Sequence, residues 1–340
     1  MKVLVIKLSA FGDIIHSLPA IHDILNRPDV GEVHWLLDSR YAFVAPLLPE
    51  KVQVHTIVTK GRGRLHAMRK KICELRKARF DAVLDLQGLL KSGLIARLVN
   101  RNSFGFDQNM QPERGNAWLV KPVRFHPEER HVVQQYRRIA SALAGNSDQP
   151  PTQPLPYTPP KIVMQAAQHP QQALLAELKL KMPYAILHVG GAWDTKQLPE
   201  TTWLETARRL LDMSITPVFS WGSDTEQALA NRLAAKASAT ALPKRLDISD
   251  LCELLQGAET VIGADTGVLH LAAALGCRTT MFWGPSASWR SGPLGEHNLH
   301  VESDPACGPC FQRSCNNFIC MDHIQAEELL QNLDQGDTNA

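Results

Sequence analysis

The sequence predicts an α/β protein made of two doubly wound, Rossmann-like domains that face each other across a central cleft. Three observations lead there: a length of 340 residues, a run of prolines near the middle, and the same alternation of short apolar runs with amphipathic segments on either side of it. Single cores rarely grow past about 300 residues, so a chain of this length divides naturally in two.

The first half, residues 1–150, opens with the apolar run VLVIKL at 3–8. It continues with a helix near 16–26, VHWLL at 33–37, a basic helix near 64–78 and AVLDLQ at 82–87. Strands that alternate with helices pair in parallel through βαβ units. The break, NSDQPPTQPLPYTPPK at 146–161, carries six prolines between 150 and 160. Proline lacks an amide donor and fixes φ, so the segment reads as an extended interdomain linker. The second half, residues 151–340, repeats the rhythm with YAILHVG at 184–190, a helix at 200–212, PVFSWG at 217–222, a helix at 224–236, TVIGAD at 260–265 and a helix at 267–275. Its tail, 324–335, reads as a last amphipathic helix expected to pack back across the N-terminal domain. Doubly wound sheets take ligands beyond the carboxyl ends of their strands, so the strand ends are where candidate site residues are sought.

The composition is that of a globular chain, 44% hydrophobic and 21% charged. No apolar stretch approaches the ~20 residues that a bilayer-spanning helix needs. The N-terminus, MKVLVIKLSAFGD, reads as a strand because Lys7 interrupts its apolar run and no small-residue cleavage site follows. The expected location is therefore cytoplasmic. The net charge of +2 conceals a division: residues 1–150 hold 23 Lys and Arg against 14 Asp and Glu, and the remainder 13 against 20. An excess of that sign suits an anionic partner, although solvated basic helix faces give the same signature. Nucleic acid is not expected, since no interleaved aromatic residues or recognisable binding fold accompany these charges.

The strand ends of the second half carry the clearest site. In TVIGADTGVLHLAAALG, 260–276, Asp265 stands at the tip of the strand, and Thr266 with Gly267 opens a helix. Free backbone amides and the macrodipole make such a start an anion site that suits a diphosphate. Thr266 adds a hydroxyl; Asp265 can accept from sugar hydroxyls or simply cap the helix. His270, one turn on, can donate to a phosphate or be an internally satisfied buried histidine. In HVGGAWDTKQLPE, 188–200, Gly190 and Gly191 let backbone approach a ligand closely. Lys196 would set a positive charge beside a leaving diphosphate, or stand solvated. Glu226, in SWGSDTEQAL at 220–229, can accept both hydroxyls of a ribose. The first strand is not followed by the G-x-G-x-x-G of a dinucleotide-dependent oxidoreductase; Ser9-Ala10-Phe11-Gly12-Asp13 stands there instead.

Four of the seven cysteines fall in CGPCFQRSCNNFIC: Cys307, Cys310, Cys315 and Cys320, spaced C-x2-C-x4-C-x4-C. In a reducing compartment, thiols this close favour a tetrahedral metal, zinc or alternatively iron, over disulfides. Four protein thiolates leave no open coordination position, so such an ion would be a structural staple. Cys73, Cys252 and Cys277 read as small core residues.

Taken in order, VLVIKLSAFGDIIHSLPAI at 3–21, FDAVLDLQGLLKSGLIARL at 80–98, DTKQLPE, WGSDTE, ADTGVLHLAAALG and FWGPS resemble, over nearly the whole chain, the lipopolysaccharide core heptosyltransferases of glycosyltransferase family 9. DLQGLLKS is most similar to the members that add the first heptose. The resemblance implies the GT-B architecture and an inverting transfer of L-glycero-D-manno-heptose from ADP-heptose to the Kdo of Kdo-lipid A, with no cofactor required for catalysis. It implies Asp13 as catalytic base, a residue that on local grounds can equally cap the helix beginning IIHSLPAI. It implies Lys196 and Asp265 as donor contacts, Thr266 and Gly267 as the diphosphate loop, His270 as a neighbour of the donor, Glu226 as a ribose contact and Leu246 as an adenine contact.

The implied acceptor is anionic, which gives the basic stretch KGRGRLHAMRKK a partner. Lys60, Arg62, Arg64, Arg69, Lys70 and Lys71, with Arg114 of the QPERGN loop, are the candidates to hold it, in peripheral contact with the inner-membrane surface. Two departures stand out. The family's Lys-x-Trp-Pro is Lys196-Gln197-Leu198-Pro199, which removes an aromatic ring beside the lysine. Upstream hydroxyl residues are replaced by Gly191 and Ala192, which leaves diphosphate contacts there to backbone. The alternatives are transfer to a later core heptose or to serines of surface proteins, and a non-catalytic, metal-stabilised binding protein.

Overall fold

The computed structural model describes residues 1–145, 149–163, 171–191 and 193–334. Ala192, residues 146–148 of the proline-rich segment and the end of the tail at Gln335 lie outside the described residues. The chain forms two compact units, Met1–Pro160 and Lys161–Ala340.

In the first unit the elements are β1 (Lys2–Ile6), α1 (Phe11–His16), α2 (Leu18–Leu25), β2 (Glu32–Asp38), β3 (Val52–Ile57), α3 (Arg64–Lys77), β4 (Ala82–Asp85), α4 (Leu90–Val99), β5 (Ser103–Phe106), β6 (Lys121–Val123) and α5 (Val132–Ser141). The strands make one parallel sheet in the order β3-β2-β1-β4-β5-β6. β1 is central and its Val3, Leu4, Val5 and Ile6 are wholly buried, as an unbroken apolar run flanked by parallel neighbours requires. Right-handed crossovers send α3 and α4 to one face and α2 to the other, where it packs on α5. The helix expected near 16–26 begins earlier and is split at Ser17, where Pro19 starts the second piece because a first helical turn needs no donor there.

The unit runs ten residues past the expected boundary, and the reason is local. Leu155 donates its amide to Glu129 and accepts from Gln134, Arg137 donates to the Pro156 carbonyl and to Thr158, and the Tyr157 ring packs on His131. These residues are strapped along α5, so 149–160 of the segment read as a linker belong to the first unit.

The second unit holds α6 (Gln171–Leu178), β7 (Tyr184–His188), α7 (Glu200–Asp212), β8 (Thr216–Ser220), α8 (Asp224–Ala237), β9 (Thr240–Ala241), α9 (Ile248–Gln256), β10 (Val261–Ala264), α10 (Gly267–Ala274), β11 (Thr279–Trp283), α11 (Ser288–Ser291), β12 (Asn298–Glu302) and α12 (Ala326–Asp334). Its parallel sheet runs β12-β11-β10-β7-β8-β9, the same winding as the first. Leu329 and Leu330 of α12 are buried in the core shared by β7, α7, β8 and β10. The tail helix, expected across the N-terminal domain, is part of the C-terminal core. Among the described residues no helix is long and apolar enough to cross a membrane.

Candidate active site

The site residues of the first unit gather at the carboxyl ends of β1 and β4. Asp13, in the first turn of α1, reaches back to accept from the Ala10 amide at 3.2 Å, so it caps from inside a helix that starts at Phe11 and not as the residue before IIHSLPAI. Its other oxygen accepts from the Tyr136 hydroxyl at 3.2 Å, and the Lys7 ammonium lies 3.6 Å away. Lys7 is buried and also donates to Tyr136 at 2.7 Å and to the Leu86 carbonyl at 3.2 Å. The Asp13 side chain nevertheless stays 34% exposed. One carboxylate is thus both a cap and a group open to a ligand.

Sequence reasoning missed what holds this loop. The Gln87 side-chain oxygen accepts from the Leu8 and Ser9 amides, at 2.9 and 3.0 Å. Gln87 is in turn set by Asp85, which accepts from the Gln87 and Gly88 amides on one oxygen and from Ser92 and Asn116 on the other. Burial pushes the Asp85 carboxyl up, against the pull of these donors. The signal in the sequence was DLQG directly after a buried strand.

Of the expected anion-binding residues, Lys60, Arg62, Arg64, Arg69, Lys70 and Arg114 are exposed, whereas Lys71 pairs with Glu74 at 2.8 Å. The structure adds two cations, Lys91 and Arg40. Lys91, at the start of α4, has its ammonium held below the usual lysine range by burial and, against the attraction of Asp38, by the charges of Arg40, Lys60 and Arg64. Residues far apart in sequence therefore form one positive patch at the mouths of β2, β3 and β4. Arg114 is brought towards it because the neighbouring Glu113 accepts from the Leu90 amide at 2.8 Å.

In the second unit Asp265 is a hub. The Lys196 ammonium donates to its Oδ2 at 2.7 Å and to its backbone carbonyl at 2.8 Å, and His270 Nε2 lies 2.8 Å from Oδ1. Burial alone would push this carboxyl up; the His270 hydrogen bond and the Lys196 charge outweigh it and hold Asp265 well below the usual range. The Thr266 hydroxyl oxygen, just before the start of α10, is buried without a hydrogen-bond partner among the described residues. A buried donor and acceptor left unpaired beside free helix amides is what an anionic ligand would satisfy.

The aromatic ring expected to be missing beside Lys196 is supplied from elsewhere. Trp193 lies with its ring centroid 4.4 Å from the Lys196 ammonium and 5.5 Å from the Arg313 guanidinium. Glu226 is committed to backbone: one oxygen accepts from Gly191, the other from Gly222 and Ser223. It clamps the loops after β7 and β8 together, leaving fewer lone pairs for a ribose than the sequence suggested. Leu246 sits half-buried in the loop before α9. A further residue went unnoticed: His188, at the end of β7, bonds Ser220 at 2.9 Å, and burial pulls it down to about 4, so it is neutral. Gly190 must be glycine, because a Cβ there would lie 2.5 Å from the His188 ring.

The cysteine expectation fares differently. Cys307, Cys310 and Cys315 are exposed and Cys320 is half-buried, all as free thiols. Among the described residues no three His, Cys, Asp or Glu side chains are grouped to hold a metal ion. Burial raises the Cys320 thiol, and the neighbouring Cys310 and Cys307 add to it. The segment is fixed instead by its backbone: Gln312 accepts from the Thr195 hydroxyl at 2.7 Å, and Phe311 donates to Pro285 at 2.8 Å. These contacts seat Arg313 beside Trp193.

A sequence profile described as glycosyltransferase family 9 (heptosyltransferase) matches residues 68–319. The lipopolysaccharide heptosyltransferase 1 of Pseudomonas aeruginosa is 29% identical over 326 residues, 93% of this chain and 87% of that protein. Among solved structures, E. coli heptosyltransferase WaaC with ADP is similar with a TM-score of 0.75 at 22% identity, over 98% of this chain and 99% of the other. E. coli ADP-heptose lps heptosyltransferase II gives 0.76 at 20% identity, over 98% of each. With a profile match over most of its length and two Rossmann-like units of the GT-B class bearing these strand-end residues, the chain belongs to glycosyltransferase family 9, the heptosyltransferases.

Proposed function

We propose that this chain transfers L-glycero-D-manno-heptose from ADP-heptose to the Kdo of Kdo-lipid A, with inversion, during assembly of the lipopolysaccharide inner core. The observation that carries the reading is the Asp265 hub beside the unpartnered Thr266 hydroxyl at the start of α10, a ready-made seat for a nucleoside diphosphate. The names of the curated relative and of the ADP-bound neighbour support the same donor. Asp13 accepts the proton of a Kdo hydroxyl, whose oxygen forms a bond to the anomeric carbon. The bond from that carbon to the phosphate oxygen breaks, and ADP leaves with the electron pair. Lys196 and the α10 amides take up the charge that develops on the diphosphate. Glu226 orders the loops around the donor, and Leu246 offers an apolar contact to adenine.

In this reading the positive patch of the first unit holds the anionic acceptor, and the enzyme works as a peripheral protein at the cytoplasmic face of the inner membrane. A zinc or iron ion on Cys307, Cys310, Cys315 and Cys320 has a structural part in this reading, and no step of the transfer runs through it. It requires the four thiols to draw together from the positions described above. Metal analysis of anaerobically purified protein tests it, and metal-free protein with four reactive thiols removes it.

ADP release from ADP-heptose with and without Kdo-lipid A tests the main reading. Release should depend on that acceptor and collapse in Asp13→Asn. Near-normal turnover of the variant would sink the role of Asp13. Turnover only with an already heptosylated core, or with serine-bearing protein, would move the acceptor to the later core or to surface proteins.

A further inference from the structure

The outward face of α4 is wrong for water. Ile95 and Ala96 turn into the core, while Leu90, Leu94 and Leu98, each one turn apart, remain more than 40% exposed. Single exposed leucines mean little, but these belong to a contiguous surface. A Cβ on Gly115 would touch Leu90 at 3.0 Å and the Trp118 ring at 3.6 Å, so those two side chains flank one glycine. Trp118 is 80% exposed. α3 packs against α4, and Lys60 and Arg64 at its start lie close enough for their charges to act on Lys91, so Leu65, 74% exposed, joins the same side of the unit. Leucine and tryptophan surrounded by lysine and arginine is the chemistry of a bilayer interface, where rings and aliphatic chains enter the headgroup layer and cations meet lipid phosphates.

We propose that the first unit docks on an anionic bilayer by inserting Leu65, Leu90, Leu94 and Trp118 between headgroups, with Lys60, Arg64 and Lys91 on the lipid phosphates. The surface deepens the reading of a membrane-lipid acceptor and rests on it for its purpose. Binding to vesicles that lack acceptor succeeds or fails without any turnover, so the two claims stand apart. Charge complementarity favours lipid over a second protein, because cations outnumber carboxylates at this surface: Lys60, Arg64 and Lys91 stand against Asp38, already paired to Arg40, and Glu113, which accepts from the Leu90 amide.

The test is co-sedimentation of the full chain with vesicles of phosphatidylcholine alone, or mixed with phosphatidylglycerol, with no acceptor present. Binding is expected to the mixed vesicles and to weaken with salt. Leu65→Ser with Leu94→Ser should weaken it roughly tenfold, while ADP release with a water-soluble acceptor fragment stays unchanged. The blue shift of tryptophan emission on binding should shrink in Trp118→Phe. Three outcomes overturn the proposal: no binding of the unaltered chain, equal binding by the leucine variant, or binding that appears only when Kdo-lipid A is included in the vesicle.

Discussion

Asp85 closes the fourth strand of the first sheet, and Asp265 follows directly on the fourth strand of the second, a sheet wound the same way. Their surroundings are opposite. Asp85 is buried among amides, a hydroxyl and an asparagine, with no cation hydrogen-bonded to it among the described residues, and burial pushes its carboxyl up. Asp265 is held between a lysine and a histidine that pull its carboxyl down. A fold that repeats its topology does not repeat its electrostatics: the first unit uses this position as a latch for the Asp13 loop, and the second as the anchor of a cation.

The sharpest way to break the contrast is Asp265→Asn. It leaves the Lys196 ammonium buried without a counter-charge, so stability should fall by about 3 kcal/mol and kcat/KM by roughly a hundredfold or more. Denaturant unfolding and ADP release read the two effects, and a variant that loses neither would make the hub ornamental. Asp85→Asn should cost less, about 1–3 kcal/mol, because an amide keeps one acceptor for the loop. Its kinetic mark should be a lower kcat at unchanged donor KM, since it acts through Gln87 on the loop that carries Asp13. A rise in donor KM with kcat intact would contradict that route.

Two smaller effects refine the picture of the second unit. Folding lowers the proton affinity of His188 from the ordinary 6.5 to about 4. Its contribution is therefore complete above 6.5 and is lost as pH falls from there towards 4, on the order of 3 kcal/mol in all. The fall in Tm between pH 7 and pH 5 should be shallower in His188→Asn, and parallel curves would exclude the histidine as the cause. Trp193→Leu removes the ring shared by Lys196 and Arg313, and donor KM should rise about threefold, with an unchanged donor KM as the contrary result.

Much of this was legible in the sequence where chemistry and periodicity coincide. The strands at 33–37 and 184–190, the helices at 200–212 and 224–236, and the Asp265-Thr266-Gly267 turn fall where apolar runs, caps and glycines place them. Pairings between distant segments were not legible. Nothing local ties Gln87 to Ser9, Trp193 to Arg313, or Lys91 to Arg40, because each depends on which loops the sheet order sets side by side. The cysteine spacing likewise says nothing of the backbone contacts from Thr195 and Pro285 that fix the segment.

The strap of prolines on α5 also decides where the first half can be cut. Glu129 is wholly enclosed, and its carboxylate receives the Leu155 amide together with Arg138 and the His126 amide. A fragment stopped at residue 150 would keep every strand and helix of that half and yet open this acceptor to solvent, whereas one stopped at Pro160 would carry its own closure. Limited proteolysis should follow the same line, leaving a fragment that ends at Pro160 intact and digesting one that ends at residue 150.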